Sequence, residues 1–228
     1  MTPRLSPEIS RFRCSVYRIF SEWFFRAPSK DLLRFFTDPE WMESACSLLG
    51  PEIQSLGQDL AREFDSDQLA TEFAALFIVP GPQQTFPFES NYREGGRVYG
   101  ERRPGRMLGY STAEVQREYL EWGVTGDLDT EELPDHAGVE LRFMSLLVEA
   151  EYLSWERYDD ACARMILQTE AEFLNHHILQ WMPQWIECVK KRARLAFYKS
   201  AATVLGNFLR AEKTTLDQVL DTSHAPSL

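Results

Sequence analysis

The chain has 228 residues, 44 % apolar and 13 % aromatic, which is enough to bury a sizeable core and too apolar for a disordered segment. Its 24 Lys+Arg against 35 Asp+Glu give a formal charge of −11, which excludes a general nucleic-acid binder and suits a basic partner. The four cysteines, Cys14, Cys46, Cys162 and Cys188, form no CxxC pair, so neither a zinc knuckle nor a dithiol redox motif is written. Free thiols in a chain this long fit a reducing compartment. Charges interrupt the N-terminus and leave no apolar core for a secretory signal. The apolar run at residues 74–79 falls far short of the ~20 residues of a membrane span. The expectation is a soluble cytoplasmic protein with no stable membrane insertion and no affinity for nucleic acid.

The pattern is helical almost throughout. Ser6-Pro7 marks a first helix, with Ser6 as N-cap and proline at the first helical position. Ile9, Phe12, Val16, Ile19, Phe20 and Trp23 then recur at steps of three and four, the stripe of an amphipathic helix. A short second helix is expected over residues 30–36. Asp38-Pro39 opens a third, which Gly50-Pro51 breaks, and a fourth runs to about Phe64. Ser66 is placed to cap a fifth, with Leu69, Phe73, Leu76 and Phe77 on its apolar face.

Residues 80–109 differ in character, with four prolines and six glycines. A loop this long inside a compact domain is usually functional or disordered. Phe86, Phe88, Tyr92 and Tyr99 punctuate it, and Arg93, Arg97, Arg102, Arg103 and Arg106 outnumber Glu94 and Glu101. Helical order resumes at a capping box, Ser111 with Glu114. An acidic linker over 126–134 leads to Asp135, placed to cap a helix faced by Val139, Phe143, Leu146, Leu147, Ala150 and Leu153. A helix is expected over about 158–181, with an interruption near Gln168 left open. Pro183 breaks or kinks the chain; a last long helix then spans about 185–209, with a short extra one over 215–220 left open. The fold class is therefore all-α: one helical-bundle domain over residues 1–222, of about nine to eleven helices, with the long loop between its halves and a frayed tail over 223–228.

Motifs for catalysis are missing. HExxH is absent, adjacent His176 and His177 point to different helix faces, and no metal site is expected. Neither GxxxxGK[ST] nor GxGxxG is present, nor a GxSxG elbow, nor a cysteine in a catalytic signature. The chain is read as a non-enzyme that requires no cofactor.

Three segments stand out: Glu72-Phe73-Ala-Ala-Leu76-Phe77 followed by the loop and Pro87-Phe88-Glu89-Ser90; Pro134-Asp135-His136 with Glu140-Leu141 and Phe143-Met144; and Phe173-Leu174 with His177 and Trp181. In this order and spacing they resemble the TorD/DmsD/NarJ family of cytoplasmic chaperones dedicated to redox enzymes, chiefly molybdoenzymes, over residues 10–209. The resemblance implies an all-helical fold and no turnover. It also implies binding of the twin-arginine leader of a partner apoenzyme, or a related N-terminal segment, which is held back from export until molybdopterin is inserted. It allows a monomer or a dimer that exchanges helical halves, with the long loop as hinge. The peptide-binding positions it carries over are Pro87, Phe88, Glu89, Ser90, Asp135, His136, Glu140, His177 and Trp181, with Tyr17 near the N-terminus. Many members carry an extra Trp around the loop, where this chain has Phe86, Phe88 and Tyr92, so subfamily and client stay open.

Each of these residues also has a plain structural role on offer. Asp135 can serve as a helix cap, His136 as a satisfied histidine at a helix start, Glu140 as part of a solvated face, and Phe88 as a plug holding the loop. His177 and Trp181, four apart, can touch on one helix face. Independently of the resemblance, residues 121–151 hold nine acids (Glu121, Asp127, Asp129, Glu131, Glu132, Asp135, Glu140, Glu149 and Glu151) against one base, Arg142. Such a field attracts an Arg-Arg motif, and paired carboxylates grip guanidinium. Two alternatives remain: an assembly adaptor of nitrate-reductase type with no leader preference, and a carrier in which the loop arginines hold a nucleotide such as GTP or transiently contact molybdopterin.

Overall fold

The computed structural model describes residues 5–29, 35–36, 38–94, 97–98, 101–102, 109–124 and 131–221. The short helix expected over 30–36 lies largely outside them, as do the C-terminal tail and, in the loop, Gly95, Gly96, Gly100, Arg103 and Arg106.

Helix α1 (Pro7–Phe25) starts where its sequence says, with the Ser6 hydroxyl accepting from the Ile9 N–H at 3.3 Å. Helix α2 (Pro39–Leu49) is capped by the Asp38 carboxylate and ends at Gly50, whose φ of 86° lies where L side chains rarely go. Helix α3 (Glu52–Glu63) follows, then α4 (Ser66–Phe73), which runs on into a π-helical turn, Ala74–Ile78. The cap of α4 is Asp65, not Ser66: the carboxylate one residue earlier reaches the N–H groups of Asp67 and Gln68.

The expected long loop is shorter than its composition suggests. Thr85, Pro87, Glu89, Ser90 and Asn91 are buried, and α5 (Glu89–Arg93) is a short helix laid on the bundle. Beyond it lies a minimal antiparallel hairpin, β1 (Arg97–Val98) with β2 (Glu101–Arg102). The capping box at α6 (Tyr110–Glu121) is not made; Glu94, from across the loop, accepts from the Ser111 N–H at 2.6 Å.

Helix α7 (Ala137–Glu156) is buried around most of its first three turns, as befits a helix with neighbours on several sides. Helix α8 (Asp160–Phe173) enters a second π-helical turn, Leu174–Ile178, and continues as α9 (Leu179–Arg192). Pro183 lies inside α9 and does not break it; buried Trp181, Met182, Trp185 and Ile186 around it hold the helix together. The chain breaks instead at residues 193–195, before α10 (Ala196–Asp221), which absorbs the short helix left open over 215–220. Helix α1 lies along α7, α7 along α8, and α10 packs on both α9 and α3 around one continuous apolar core. The all-α class stands, with ten α-helices among the described residues beside the hairpin.

Candidate functional site

The segment before α5 is fastened to the start of α7 as a short antiparallel bridge between Phe88 and His136. The Ala137 N–H donates to the Pro87 carbonyl at 2.8 Å, and the Glu89 N–H donates to the Asp135 carbonyl at 2.9 Å. The Asp135 carboxylate accepts from the Ser90 N–H at 3.0 Å and so caps α5 rather than α7. The cap of α7 is His136, whose Nδ1 accepts from the Gly138 N–H at 3.1 Å. Its ring stacks on Phe25 at 5.5 Å and meets the Phe88 ring edge-on at 5.1 Å. Burial holds the His136 pKa down at about 3, which leaves Nδ1 free to accept. A Cβ on Gly138 would sit 2.9 Å from the Phe25 ring, so glycine is what lets Phe25 close over this corner.

Beneath the bridge lies a chain of buried polar contacts. His177, in the π turn, reaches Glu89 through Nδ1 at 3.0 Å and Glu118 through Nε2 at 3.0 Å. Burial alone would depress its pKa, but the bonds and charges of Glu118 and Glu89 outweigh that and raise it to about 9. His177 is therefore an imidazolium clamped between two carboxylates. Glu89 also receives the Arg93 guanidinium at 2.5 Å, and Arg93 donates to the His176 carbonyl at 3.2 Å. In the first turn of α9, the Trp181 indole donates to Glu140 at 3.0 Å. Burial and the neighbouring Glu89 charge push the Glu140 carboxyl well above the usual range.

The structure thus gathers Pro87, Phe88, Glu89, Ser90, Asp135, His136, Glu140, His177 and Trp181 into one place. Asp135, Glu140, Glu89 and Trp181 are wholly buried there. Tyr17 does not join them; its ring packs edge-on against Phe208 of α10 at 4.7 Å. His177 and Trp181 pair their rings elsewhere, His177 with Phe173 and Trp181 with Tyr92 and Trp185. Glu118 and Arg93 complete the cluster, and no local pattern marked Glu118.

The acidic field of residues 121–151 is also dispersed. Asp135, Glu140 and Glu151 are buried, Glu149 holds Arg18 at 2.5 Å, and Asp127 and Asp129 lie outside the described residues. What remains distinctive is a group of buried polar atoms without a protein partner: the acceptors Asp135 Oδ1 and Glu140 Oε1, the Ser90 hydroxyl and the Asn91 amide donor Nδ2. Orphaned polar atoms of both kinds gathered at one place leave hydrogen bonds for another molecule to make. The carboxylates meet His177 on opposite ring nitrogens, which is no geometry for a metal, and no group of three or more ligating residues among the described residues is arranged for one. Among those residues no helix is long and apolar enough to cross a membrane.

Residues 44–187 match the family described as Nitrate reductase delta subunit, a span that encloses the whole cluster. The chain is 24 % identical to Chaperone protein TorD of Vibrio cholerae serotype O1, over 93 % of this chain and 95 % of that one. It is 26 % identical to Chaperone protein TorD of Salmonella bongori, over 91 % of each chain. A solved structure of a redox enzyme maturation protein from Archaeoglobus fulgidus aligns with a TM-score of 0.44 at 20 % identity, covering 90 % of this chain and 93 % of that one.

Proposed function

The chain belongs to the nitrate reductase delta subunit family, and from that premise we propose that it is a cytoplasmic chaperone in the maturation of a molybdenum-dependent oxidoreductase, acting by binding and not by turnover. Relatives that carry the chaperone name along almost their whole length support this. The ligand is the twin-arginine leader of the apoenzyme, held until the enzyme is loaded. The observation that carries the finer reading is the cluster under residues 87–93, where Asp135 and Glu140 each keep an oxygen without a partner. A guanidinium presents five N–H donors in a planar fork and suits those two oxygens. Arg93 already occupies the edge of the cluster through Glu89, and a leader arginine would compete for the same carboxylate. Access requires the 87–93 segment to lift, which the short bridge to residues 135–137 permits.

The test is calorimetric titration of the full chain with the leader peptide of a co-encoded molybdoenzyme, with an Arg-Arg→Lys-Lys leader and an Asp135→Asn variant alongside. Saturable binding, weakened about ten-fold or more by either change, supports the reading, since a charge-assisted bidentate pair accounts for a loss of that order. Absence of binding to any leader overturns it. The matched family description favours one second reading, an adaptor for a nitrate-reductase-type client whose N-terminus lacks Arg-Arg. Tight binding indifferent to the Arg-Arg change would select that adaptor.

A further inference from the structure

Away from the cluster, one exposed stretch stands out among the described residues. Residues 78–82, Ile-Val-Pro-Gly-Pro, leave the π turn of α4 exposed at every position, Ile78 by 61 % and Val79 by 52 %. Five consecutive exposed residues without a charge mark a contact surface on a soluble chain. Hydrogen bonds hold this tip in shape: the Val79 N–H donates to the Ala74 carbonyl at 2.7 Å, and the Thr85 N–H to the Leu76 carbonyl at 2.6 Å.

Beside the tip is the most basic stretch of an acidic chain. Residues 190–199 contain Lys190, Lys191, Arg192, Arg194 and Lys199 and no acid, against a formal charge of −11 overall. Contact between the two is direct. Gln83 donates to the Arg192 carbonyl at 3.1 Å, and the Arg192 guanidinium donates to the Gln84 carbonyl. Lys191, Arg192, Arg194 and Lys199 are exposed. Lys190 meets Glu187 at 2.7 Å, and the neighbouring Glu72 carboxylate is buried against the Arg194 and Leu195 N–H groups. Cations in the last turn of α9 also balance the helix dipole, but that leaves the bare tip beside them unexplained.

We propose that the 78–82 tip and the basic end of α9 form a docking surface for an anionic lipid membrane. The aliphatic and proline side chains enter the interfacial layer while Lys190, Lys191, Arg192 and Arg194 meet headgroup phosphates. A protruding aliphatic tip needs no matching pocket in a fluid interface, whereas a protein partner must supply one. With a single short tip the contact is peripheral and reversible. The tip continues through Thr85, which accepts from the Trp185 indole at 3.1 Å, into the segment that covers Asp135, so one stretch of chain joins the two surfaces.

Co-sedimentation of the full chain tests this, using phosphatidylcholine vesicles and the same vesicles enriched in phosphatidylglycerol. Binding to the anionic vesicles alone, falling with added salt, is the expected result. Each cation near an anionic surface contributes about five-fold in partitioning, so Lys190→Glu/Lys191→Glu should lower it by more than about ten-fold. Ile78→Ser/Val79→Ser should lower it too, while Lys213→Glu on α10 should not. All of these side chains lie at the surface, and unchanged melting would show that the variants fold. A protein that stays in the supernatant with both vesicle types overturns the proposal, as does binding that survives both double variants. Capture of a polyglutamate peptide without vesicle binding would assign the surface to an acidic protein segment instead. Self-association without lipid, lost in Ile78→Ser/Val79→Ser, would assign it to a second copy. Leader titration of the same variants is expected unchanged, so the two proposals stand or fall separately.

Discussion

Two buried charge clusters in this molecule use the same chemical groups and differ in their walls. In the first, the Arg13 guanidinium of α1 is enclosed by Glu212 of α10 at 2.9 Å, Glu151 of α7 at 3.2 Å, and Glu170 of α8. Four long helices supply every wall, and each nitrogen of the fork has a carboxylate. The surplus negative charge is relieved by a proton: burial, working against Arg13, raises the Glu170 pKa to about 8. In the second cluster, Glu89 and Glu118 clamp His177, Glu89 also holds Arg93, Asp135 and Glu140 accept from the Ser90 N–H and the Trp181 indole, and one wall is a five-residue helix and its lead-in. Asp135 Oδ1 and Glu140 Oε1 have no partner there, as Glu170 Oε1 has none in the first, so the wall and not the acceptor count separates the two. The first is a knot that ties the bundle together; the second is open to a further cation once its thin wall moves.

The largest effect should come from cutting the knot. Arg13→Met would strand three buried carboxylates and cost roughly 3–5 kcal/mol, read by urea denaturation. A loss under about 1 kcal/mol would show that the carboxylates simply take up protons and that the knot is not structural. At the second cluster the contrast is between two substitutions. Asp135→Ala removes the acceptor for the buried Ser90 N–H and should cost about 1–3 kcal/mol in thermal melting. Asp135→Asn keeps an acceptor and should cost less than about 1 kcal/mol, so a loss of leader affinity in Asn alone reports charge and not folding.

Titration separates the clusters next. The folded His177 pKa of about 9 lies above its ordinary 6.5, so its contribution is complete below pH 6.5 and is lost as pH rises through 9. After allowing for partial solvent screening this amounts to about 2 kcal/mol. Glu170 is a raised acid, so its folded state binds the proton more tightly, and stability falls as pH rises from 4.5 to about 8 and no further. Melting against pH should therefore decline in two overlapping windows; His177→Gln should flatten only the upper one and Glu170→Gln only the lower. If His177→Gln left the decline between pH 8 and 9 untouched, the clamp by Glu89 and Glu118 would be wrong. Glu94→Ala removes the cap of α6 and should cost only about 1 kcal/mol by denaturation.

The caps show how far local pattern carries. Ser6 and Asp38, each followed by proline, cap the helices their sequence assigns, because side chain and N–H belong to one turn. Asp65, His136 and Glu94 displace Ser66, Asp135 and Ser111 as helix caps. The first two shifts are a single residue, settled by which side chain reaches; the third is a loop side chain brought from seventeen residues away. Arg13 left a trace, a charge inside the stripe of Ile9, Val16 and Phe20, and its meaning appears only when three other helices bring their glutamates to it.

By itself the sequence determined the all-α class and most helix positions, because apolar periodicity is a local property; the positions from Pro87 to Trp181 were named only through the family resemblance. The tertiary structure alone decided that Asp135 and Glu140 are buried and that Glu118 and Arg93 belong with them. It also decided that the 78–82 tip stands beside the basic end of α9. Burial and charge pairing depend on which distant segments meet, and the packing of α1, α7, α9 and α10 around the folded-in loop sets that.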